Sequence, residues 1–398
     1  MLAVLVQAAD PAAAARLKAE NGFIDEAIEL CTKALKRGPG SAALLRARAS
    51  ARRQKGQTAG AREDIEAALL LEPESVAVRV ERGLIQEAEG DRTKAKEDYE
   101  AAVKLDPKDA AALYHRAILL RREGDFKAAE EDLRKVVALE GTPPRVRARG
   151  LQELKEQPAA QLEDLNRAAI LEPANGLVLA ERASVKIDLG KYGEAEEDLR
   201  RATNLAPKIA LIRFESGRLK EHAGDPKSAW GEYSVAVELD PTNARFYFGR
   251  ANARRAMADV KGAVEDLTKA IDLWGAWPEA HFSRGLARSQ AGDPLGAIAD
   301  FQRVLQLDAP DLHLAALVSR GLCRQQRSDL KHAKADFAKA AAMTAGSAFE
   351  LQYRALAKEA KGDAKGALSD TEKAIAQAPA GSGVLAQLQE QLKRLKAK

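Results

Sequence analysis

A proline recurs at a fixed interval of 34 residues in two parts of the chain, and this period constrains the fold more than any other feature. The positions are Pro39, Pro73 and Pro107 in the first part, and Pro173, Pro207 and Pro241 in the second. Periods of roughly 20 to 50 residues indicate similar supersecondary units that stack and bury their apolar faces against each other. The 398 residues are therefore expected to form one array of repeats.

Three positions of the repeat carry small side chains in nearly every copy. Counting from Ala42, the eighth position is Ala49, Gly83, Ala117, Ala183, Gly217, Ala251, Gly285, Gly321 and Ala355. The twentieth position is Ala27, Ala61, Ala95, Ala129, Ala195, Ala229, Ala263, Ala297, Ala333 and Ala367, and the twenty-seventh is Ala or Val. Since small side chains let two helices approach closely, these positions predict the contact seam of a helix pair.

A Gly-Asp pair lies between the eighth and twentieth positions in several copies. The pairs are Gly90-Asp91, Gly124-Asp125, Gly224-Asp225, Gly292-Asp293 and Gly362-Asp363, with Gly190-Lys191 as a variant. Gly suits the left-handed end of a first helix, and Asp accepts hydrogen bonds from the unpaired amides that begin a second helix. Prolines such as Pro107 end the second helix. Each repeat is therefore predicted to be helix, turn, helix, turn.

The amino-acid composition is typical of a helical protein, and the net charge limits the kinds of partner that the sequence predicts. Apolar residues make up 46% of the chain and charged residues 31%, but aromatic residues only 5%, which favours amphipathic helices over strands. The 63 basic and 59 acidic residues leave a net charge of +4, too small an excess to indicate neutralisation of a nucleic-acid backbone. No stretch approaches the ~20 apolar residues that span a bilayer.

The 34-residue period, the three small positions and the closing proline resemble the tetratricopeptide repeat. The resemblance covers about eleven repeats over residues 8–381, and it implies an all-α fold, a right-handed superhelical α-solenoid of stacked helix-turn-helix units. Residues 1–7 form a short apolar segment before the array. Residues 382–398 are predicted to form an amphipathic helix that caps the open end of the stack.

The pattern is irregular near residues 141–160. The stretch Thr142-Pro143-Pro144 stiffens the chain, the mid-repeat glycine is missing, and Gln161 stands where alanine is expected. We therefore expect a bend between residues 1–141 and 161–398.

Two further positions change together along the chain. The seventh is Arg48, Arg82, Arg116, Arg182, Arg250, Arg284, Arg320 and Arg354, with Arg149 as the predicted counterpart in the fifth repeat. The twenty-third is Asp64, Asp98, Asp132, Asp164, Asp198, Asp266, Asp300, Asp336 and Asp370. The first repeat lacks both, and the seventh has Ser216 with Glu232. We predict that the two positions touch as bidentate ion pairs, which excludes these arginines from a binding surface.

In tetratricopeptide proteins the first helices line a concave groove. The resemblance assigns partner binding to seven residues: Phe214, Arg218, Arg245, Phe248, Asn252, Arg255 and Phe282. Three of them are phenylalanines at the fifth position of consecutive repeats, and aromatic anchors beside arginines are typical of protein-binding hot spots. The alternative is that the three rings pack between helices. A basic cluster could receive an acidic segment or form a solvated face: Arg46, Arg53, Arg121 and Arg122.

No pattern of catalysis or cofactor binding is present in the sequence. The cysteines Cys31 and Cys323 are far apart, and the five histidines fall in five repeats, so no metal site is predicted. Phosphate-binding glycine loops and nucleophile elbows are missing. The Lys and Asn residues with which chaperone-binding relatives clamp a terminal carboxylate are not reproduced either. We expect a protein that is not an enzyme.

The sequence thus predicts a protein–protein interaction scaffold or adaptor that binds a peptide or partner protein in its groove. One alternative is a self-assembling solenoid, a homo-oligomer. A weaker one is a helical-repeat RNA-binding protein, although no nucleic acid is expected as partner. A cytoplasmic location is expected; a periplasmic or secreted protein would follow if the apolar start were a remnant signal peptide.

Overall fold

The computed structural model describes residues 10–38, 40–154, 157–307, 309–378 and 383–397, so the N-terminal segment 1–7 lies outside the described residues. The described residues form α-helices joined by short turns, without strands. In chain order the helices are α1 (Pro11–Glu20), α2 (Ile24–Arg37), α3 (Ala42–Gln54), α4 (Thr58–Leu71), α5 (Val76–Ala88), α6 (Arg92–Leu105), α7 (Ala110–Glu123), α8 (Phe126–Ala138), α9 (Pro144–Leu154), α10 (Pro158–Leu171), α11 (Gly176–Asp188), α12 (Tyr192–Leu205), α13 (Ala210–His222), α14 (Pro226–Leu239), α15 (Ala244–Ala256), α16 (Val260–Leu273), α17 (Pro278–Gln290), α18 (Pro294–Gln306), α19 (Pro310–Gln326), α20 (Leu330–Ala342), α21 (Ala348–Ala360), α22 (Ala364–Gln377) and α23 (Gly383–Lys396).

The odd-numbered helices from α1 to α21 are the first helices of the repeats, and each contacts the even-numbered helix that follows it, in the case of α15 and α16 through Arg250 and Asp266. The turns inside the repeats have the predicted caps. Gly124 and Gly224 adopt positive φ angles of 91° and 74°, which favour glycine. Asp125 and Asp225 accept hydrogen bonds from the amides of Ala128 and Ser228 at the start of the second helices.

The small residue at the eighth position is required by the side chain that faces it. A Cβ atom on Gly285 would lie 2.7 Å from the ring of Phe301 on the second helix of the same repeat. Three other glycines face aromatic rings in the same way, Gly83 with Tyr99, Gly217 with Tyr233 and Gly321 with Phe337. Repeats with an aliphatic residue opposite carry alanine instead, as in Ala117 and Leu133.

The covarying Arg and Asp residues form bidentate ion pairs between the two helices of a repeat. In eight pairs the Nη2–Oδ1 distance is 2.6 to 2.8 Å. The pairs are Arg48–Asp64, Arg82–Asp98, Arg116–Asp132, Arg182–Asp198, Arg250–Asp266, Arg284–Asp300, Arg320–Asp336 and Arg354–Asp370. The aspartates are buried and the arginines are partly buried.

The fifth repeat corrects one assignment. Asp164 pairs with Arg147, whose Nε lies 2.7 Å from the carboxylate, whereas Arg149 binds Glu181 of the next repeat. Pairs elsewhere are 16 residues apart, but here that spacing falls on Ala148. Because the repeat is shortened around α9, the arginine one residue earlier reaches the aspartate.

The chain divides into two compact units, Met1–Gly249 and Arg250–Lys398, called the first and second units below. The boundary lies inside α15 and not in the irregular stretch 141–160.

Within the first unit the array curls until the end of α1 meets the start of α11. The side-chain amide of Asn21 donates to the carbonyl of Ala174, and its oxygen accepts from the amide of Gly176, both at 2.9 Å. The carboxylate of Glu20 accepts from Arg145 at 3.0 Å and from Asn175 at 2.6 Å. Side-chain hydrogen bonds therefore tie the end of α1 to the start of α11.

In the second unit the C-terminal helix α23 covers the last helix pair. Leu388 is fully buried with Leu351 and Ala374, and Leu395 packs with Ala355 and Ala367. The polar face of α23 holds Lys393, Arg394 and Lys396.

Candidate partner-binding groove

The seven residues assigned to partner binding lie on three first helices. Phe214 and Arg218 are on α13, Phe282 is on α17, and the remaining four are on α15. Because the unit boundary crosses α15, the first unit contains Phe214, Arg218, Arg245 and Phe248, and the second unit contains Asn252, Arg255 and Phe282. Each group is described within its own unit.

The first unit has a cavity of about 280 Å³ on the side formed by its first helices. The helices that line the cavity are α7, α9, α11, α13 and α15, all of them first helices, and the second helices contribute nothing to its lining. This arrangement agrees with the concave face that the sequence resemblance implies. Phe214, Arg218 and Arg245 lie in the lining of this cavity.

The apolar part of the lining consists of aromatic rings and Leu211. The ring of Phe214 is half-buried, with its centroid 5.2 Å from that of Phe246 and 5.4 Å from that of Tyr233. Tyr114 of α7 contributes a third ring to the lining, beside Phe214 and Phe246. Phe248 is half-buried, on the same helix as Phe246. Aromatic rings that pack against each other are fixed in orientation, and they therefore present a defined surface to an apolar side chain of a ligand.

The polar part of the lining consists of buried carboxylates with arginine partners. Glu153 accepts from Arg121 and from Arg245, each at 2.7 Å. Burial by itself raises the pKa of Glu153, but the two guanidinium groups outweigh it and hold the pKa below its ordinary value. Glu181 is in the same situation between Arg145 and Arg149, and its pKa is also lowered. Both carboxylates are therefore ionised at neutral pH.

Glu215 behaves differently because burial dominates. This residue is 2% exposed, and desolvation raises the pKa of its carboxyl although Arg218 opposes the shift. Arg218 donates to Glu215 and to Ser184, both at 2.9 Å, and also pairs with Asp188. Its guanidinium is thus largely committed to neighbours within the first unit.

Arg245 differs from Arg218 in exposure. Its side chain is 44% exposed while Nη2 binds Glu153, so part of this arginine is open to solvent at the cavity. Planar guanidinium groups recognise carboxylates and carbonyl oxygens with several donors at once.

The predicted basic cluster is mostly neutralised. Arg53 binds Glu81 at 3.0 Å, Arg121 binds Glu153, and Arg122 binds Glu87. Arg46 differs from the other three arginines of this cluster. Burial and, to a smaller extent, the nearby Arg16 lower the pKa of its guanidinium. The carboxylates that neutralise this face were not identified from the sequence, because their separations from the arginines, 28, 32 and 35 residues, follow no common spacing.

In the second unit Phe282 is 7% exposed, and its ring packs against Phe301 at 5.6 Å and Tyr353 at 6.3 Å between centroids. The sequence analysis gave packing between helices as the alternative to partner binding for the three phenylalanines, and the ring of Phe282 is packed in this way. Asn252 and Arg255 are partly buried, three residues apart on α15.

Within the described ranges, no group of three or more His, Cys, Asp or Glu side chains could hold a metal ion. Cys31 and Cys323 are buried and unpaired, and burial raises the pKa of the Cys31 thiol to about 11. Of the helices that the structure describes, none combines the length and the apolar character needed to cross a bilayer.

Comparison with curated proteins yields no match to this chain. Among solved structures, the anaphase-promoting complex hetero-tetramer Cut9–Hcn1 is 15% identical, covers 98% of this chain and 91% of its own, and has a TM-score of 0.51. The human IFIT1 dimer with m7Gppp-AAAA is also 15% identical, covers 91% of this chain and 94% of its own, and has a TM-score of 0.53. At this identity the likeness concerns the fold alone.

The family comparison is more specific. A sequence model of the family described as "Tetratricopeptide repeat" matches this chain five times, at residues 12–75, 46–95, 80–143, 181–244 and 248–311. Together the matches span well over half of the chain, in agreement with the helix pairs, the caps and the small residues at the seam. The chain therefore belongs to the tetratricopeptide repeat family, whose all-α solenoids serve as protein-interaction scaffolds.

Proposed function

We propose that this protein is an interaction scaffold that grips a segment of a partner protein in the groove of its first unit. The observation that carries the proposal is the cavity of about 280 Å³, with three aromatic rings and the partly exposed side chain of Arg245 in its lining. An apolar side chain of the partner enters between Phe214, Phe246 and Tyr114. The guanidinium binds a carbonyl or carboxylate oxygen next to that side chain.

The size of the cavity favours a side chain over a complete small molecule. Sites for drug-sized ligands usually enclose roughly 300–1,000 Å³, so the cavity of about 280 Å³ is just below that range. A scaffold needs only one or two such anchors, since a few buried contacts supply most of the binding energy of an interface.

RNA binding is the second candidate, because the IFIT1 dimer, which has a similar fold, is found with the RNA ligand m7Gppp-AAAA. Phosphate backbones are held by arginine and lysine side chains whose charge is available to them. In the groove of this chain, Arg53, Arg121, Arg122 and Arg218 already bind carboxylates. The charge pattern therefore supports a peptide ligand.

A steric block of the cavity tests the proposal. Gln152 is half-buried in the lining, and Gln152→Trp places a large ring in the cavity, whereas Gln152→Ala leaves it open. A fluorescent 12-residue peptide selected from a display library on the intact chain serves as the probe. We expect Gln152→Trp to weaken its binding at least about tenfold, which corresponds to about 1.4 kcal/mol, and Gln152→Ala to leave it nearly unchanged.

Equal affinities of the two folded variants would refute peptide binding in this cavity. A parallel titration with a 12-nucleotide oligoadenylate at two salt concentrations addresses the second candidate. Tight RNA binding whose affinity falls steeply as the salt concentration increases would identify the ligand of the groove as a nucleic acid and not a peptide.

A further inference from the structure

Among the residues that the structure describes, Arg255 of the second unit has no partner for its charge. Its Nε–H group is buried and makes no hydrogen bond, and the residue forms no ion pair with any described residue. The adjacent Arg254 provides the contrast, because its Nη1 donates to the carbonyl of Gly262 at 2.8 Å and lies 3.2 Å from Asp266.

The same contrast extends to all first helices of the second unit. Their other arginines bind the buried aspartates of the repeats: Arg250, Arg254, Arg284, Arg288, Arg320, Arg324 and Arg354. Arg255 is thus the one arginine on these helices whose charge remains uncompensated among the described residues.

A guanidinium without a partner destabilises the folded state unless a ligand binds to it. A partly buried cation loses hydration, and a buried donor without an acceptor adds a further cost. Burial lowers the pKa of Arg255, and the phenol of Tyr353 opposes the shift. Buried polar groups without partners are rare in folded proteins and call for an explanation, such as a bound ligand.

The surroundings of Arg255 suit a small anionic group. Asn252 lies three residues earlier on α15, on the same helix face. The phenol of Tyr353 on α21 acts electrostatically on Arg255, and the ring of Phe282 packs against the ring of Tyr353. Tyr353 and Asn252 can each donate a hydrogen bond to an anion, and the ring of Phe282 adds apolar surface against Tyr353.

We propose that Arg255 binds the carboxylate of an acidic side chain carried by the partner segment. A guanidinium and a carboxylate can form two parallel hydrogen bonds, and one uncompensated positive charge matches one negative charge. Phosphoryl groups carry about −1.5 to −2 charges and are usually bound by clusters of arginines, whereas the neighbouring arginines here are already paired. This inference extends the proposed peptide-binding function to the second unit.

Direct observation of the Arg255 Nε–H signal by NMR, in the intact chain labelled with 15N-arginine, tests the inference. The signal is assigned from its loss in Arg255→Lys. The probes are the blocked tripeptide Ac-Ala-Glu-Ala-NH2 and its uncharged counterpart Ac-Ala-Gln-Ala-NH2, titrated at constant ionic strength. We expect a saturable shift of the Arg255 signal with the Glu peptide and at least roughly tenfold weaker binding of the Gln peptide.

Two variants on adjacent residues supply the controls. Arg255→Met should bind the Glu peptide at least about tenfold more weakly and should melt no lower than the wild type, because it removes a charge that has no partner. Arg254→Met breaks an ion pair with Asp266 and should melt lower, but the Arg255 signal should still respond to the Glu peptide.

Equal shifts with the Glu and Gln peptides would overturn the inference, as would a lower melting temperature for Arg255→Met. A stronger response to inorganic phosphate than to the Glu peptide would assign the position to phosphoryl groups instead. The tripeptides do not require the cavity of the first unit. Failure of the Gln152 variants would therefore reject the proposed function there without affecting this measurement.

Discussion

Asp300 holds two guanidinium groups, and its removal tests how much the ion pairs of the repeats contribute. The carboxylate accepts from Nη2 of Arg284 at 2.7 Å and from Nη1 of Arg288 at 2.9 Å, and Nδ1 of His281 lies 3.5 Å away. The side chain of Asp300 is 3% exposed, whereas Arg284 and Arg288 are 12% and 25% exposed. Asp300→Ala therefore leaves two partly buried cations without their anion.

The expected magnitude follows from the exposure of these cations. Removal of one member of a buried ion pair costs about 3–5 kcal/mol, and Arg288 recovers part of this cost because it can turn toward solvent. We expect Asp300→Ala to lower the free energy of unfolding by about 3 kcal/mol. Asp98→Ala should cost less, about 1–3 kcal/mol, because Arg82 keeps its contact with Glu66 at 3.4 Å.

Urea unfolding and native-state hydrogen exchange measure the effect together, since long repeat arrays do not always unfold in one step. Exchange of the α17 and α18 amides should report the loss locally. The exposed Asp272 of the same unit supplies the control, because substitutions at exposed sites usually change stability by less than about 0.5 kcal/mol. If Asp300→Ala and Asp272→Ala were equally stable, the ion pair would contribute nothing measurable.

The dependence on pH has a defined sign. Burial raises the pKa of Asp300, but the neighbouring His281 and the guanidinium groups of Arg284 and Arg288 outweigh it, and the net shift is downward from 3.8. A carboxyl group whose pKa is lower in the folded state stabilises the fold above its unfolded pKa, and this contribution is lost as the pH falls through the folded pKa. The stability gap between wild type and Asp300→Ala should therefore persist at pH 7 and shrink below about pH 3.8. A gap of constant size would exclude an ionised carboxylate as its source.

Two further substitutions separate binding from packing. Phe248→Ala should weaken binding of the selected peptide roughly tenfold or more with little change in melting temperature, and Phe301→Ala, which removes a fully buried ring, should cost about 3–5 kcal/mol of stability. A large drop in melting temperature for Phe248→Ala, with binding per folded molecule unaltered, would place Phe248 in the core. Gly285→Ala should cost about 1–3 kcal/mol by overpacking against the ring of Phe301, and Phe301→Leu in the same chain should recover part of it. Additive losses in that double variant, measured by urea unfolding, would contradict the steric explanation.

Contacts inside one repeat could be predicted because the sequence contains many copies of each. Arg82 and Asp98 are 16 residues apart, and the same pairing recurs at the same spacing in seven other repeats. Gly124 and Asp125 were predictable for the same reason, since a cap depends on residues close in sequence. The match of Gly285 with Phe301 was also present in the sequence, in four copies, but only the structure identified it.

The fifth repeat shows where this approach fails. Its shortened first helix shifts the register, and Arg147 takes the position that the repeat pattern assigned to Arg149. A single irregular copy has no second example in the sequence against which the shift could be recognised.

The groove itself depended on the tertiary structure. Arg245 meets Glu153 across 92 residues, and Asn175 meets Glu20 across 155 residues. Each contact occurs once, and its position is the sum of small rotations over several stacked repeats. The sequence therefore determined the helix pairs, their caps and their ion pairs, because these are local and repeated. Which groove arginines of the first unit are neutralised was decided by tertiary contacts between residues with no regular spacing, and only the structure showed that the Nε of Arg255 makes no hydrogen bond.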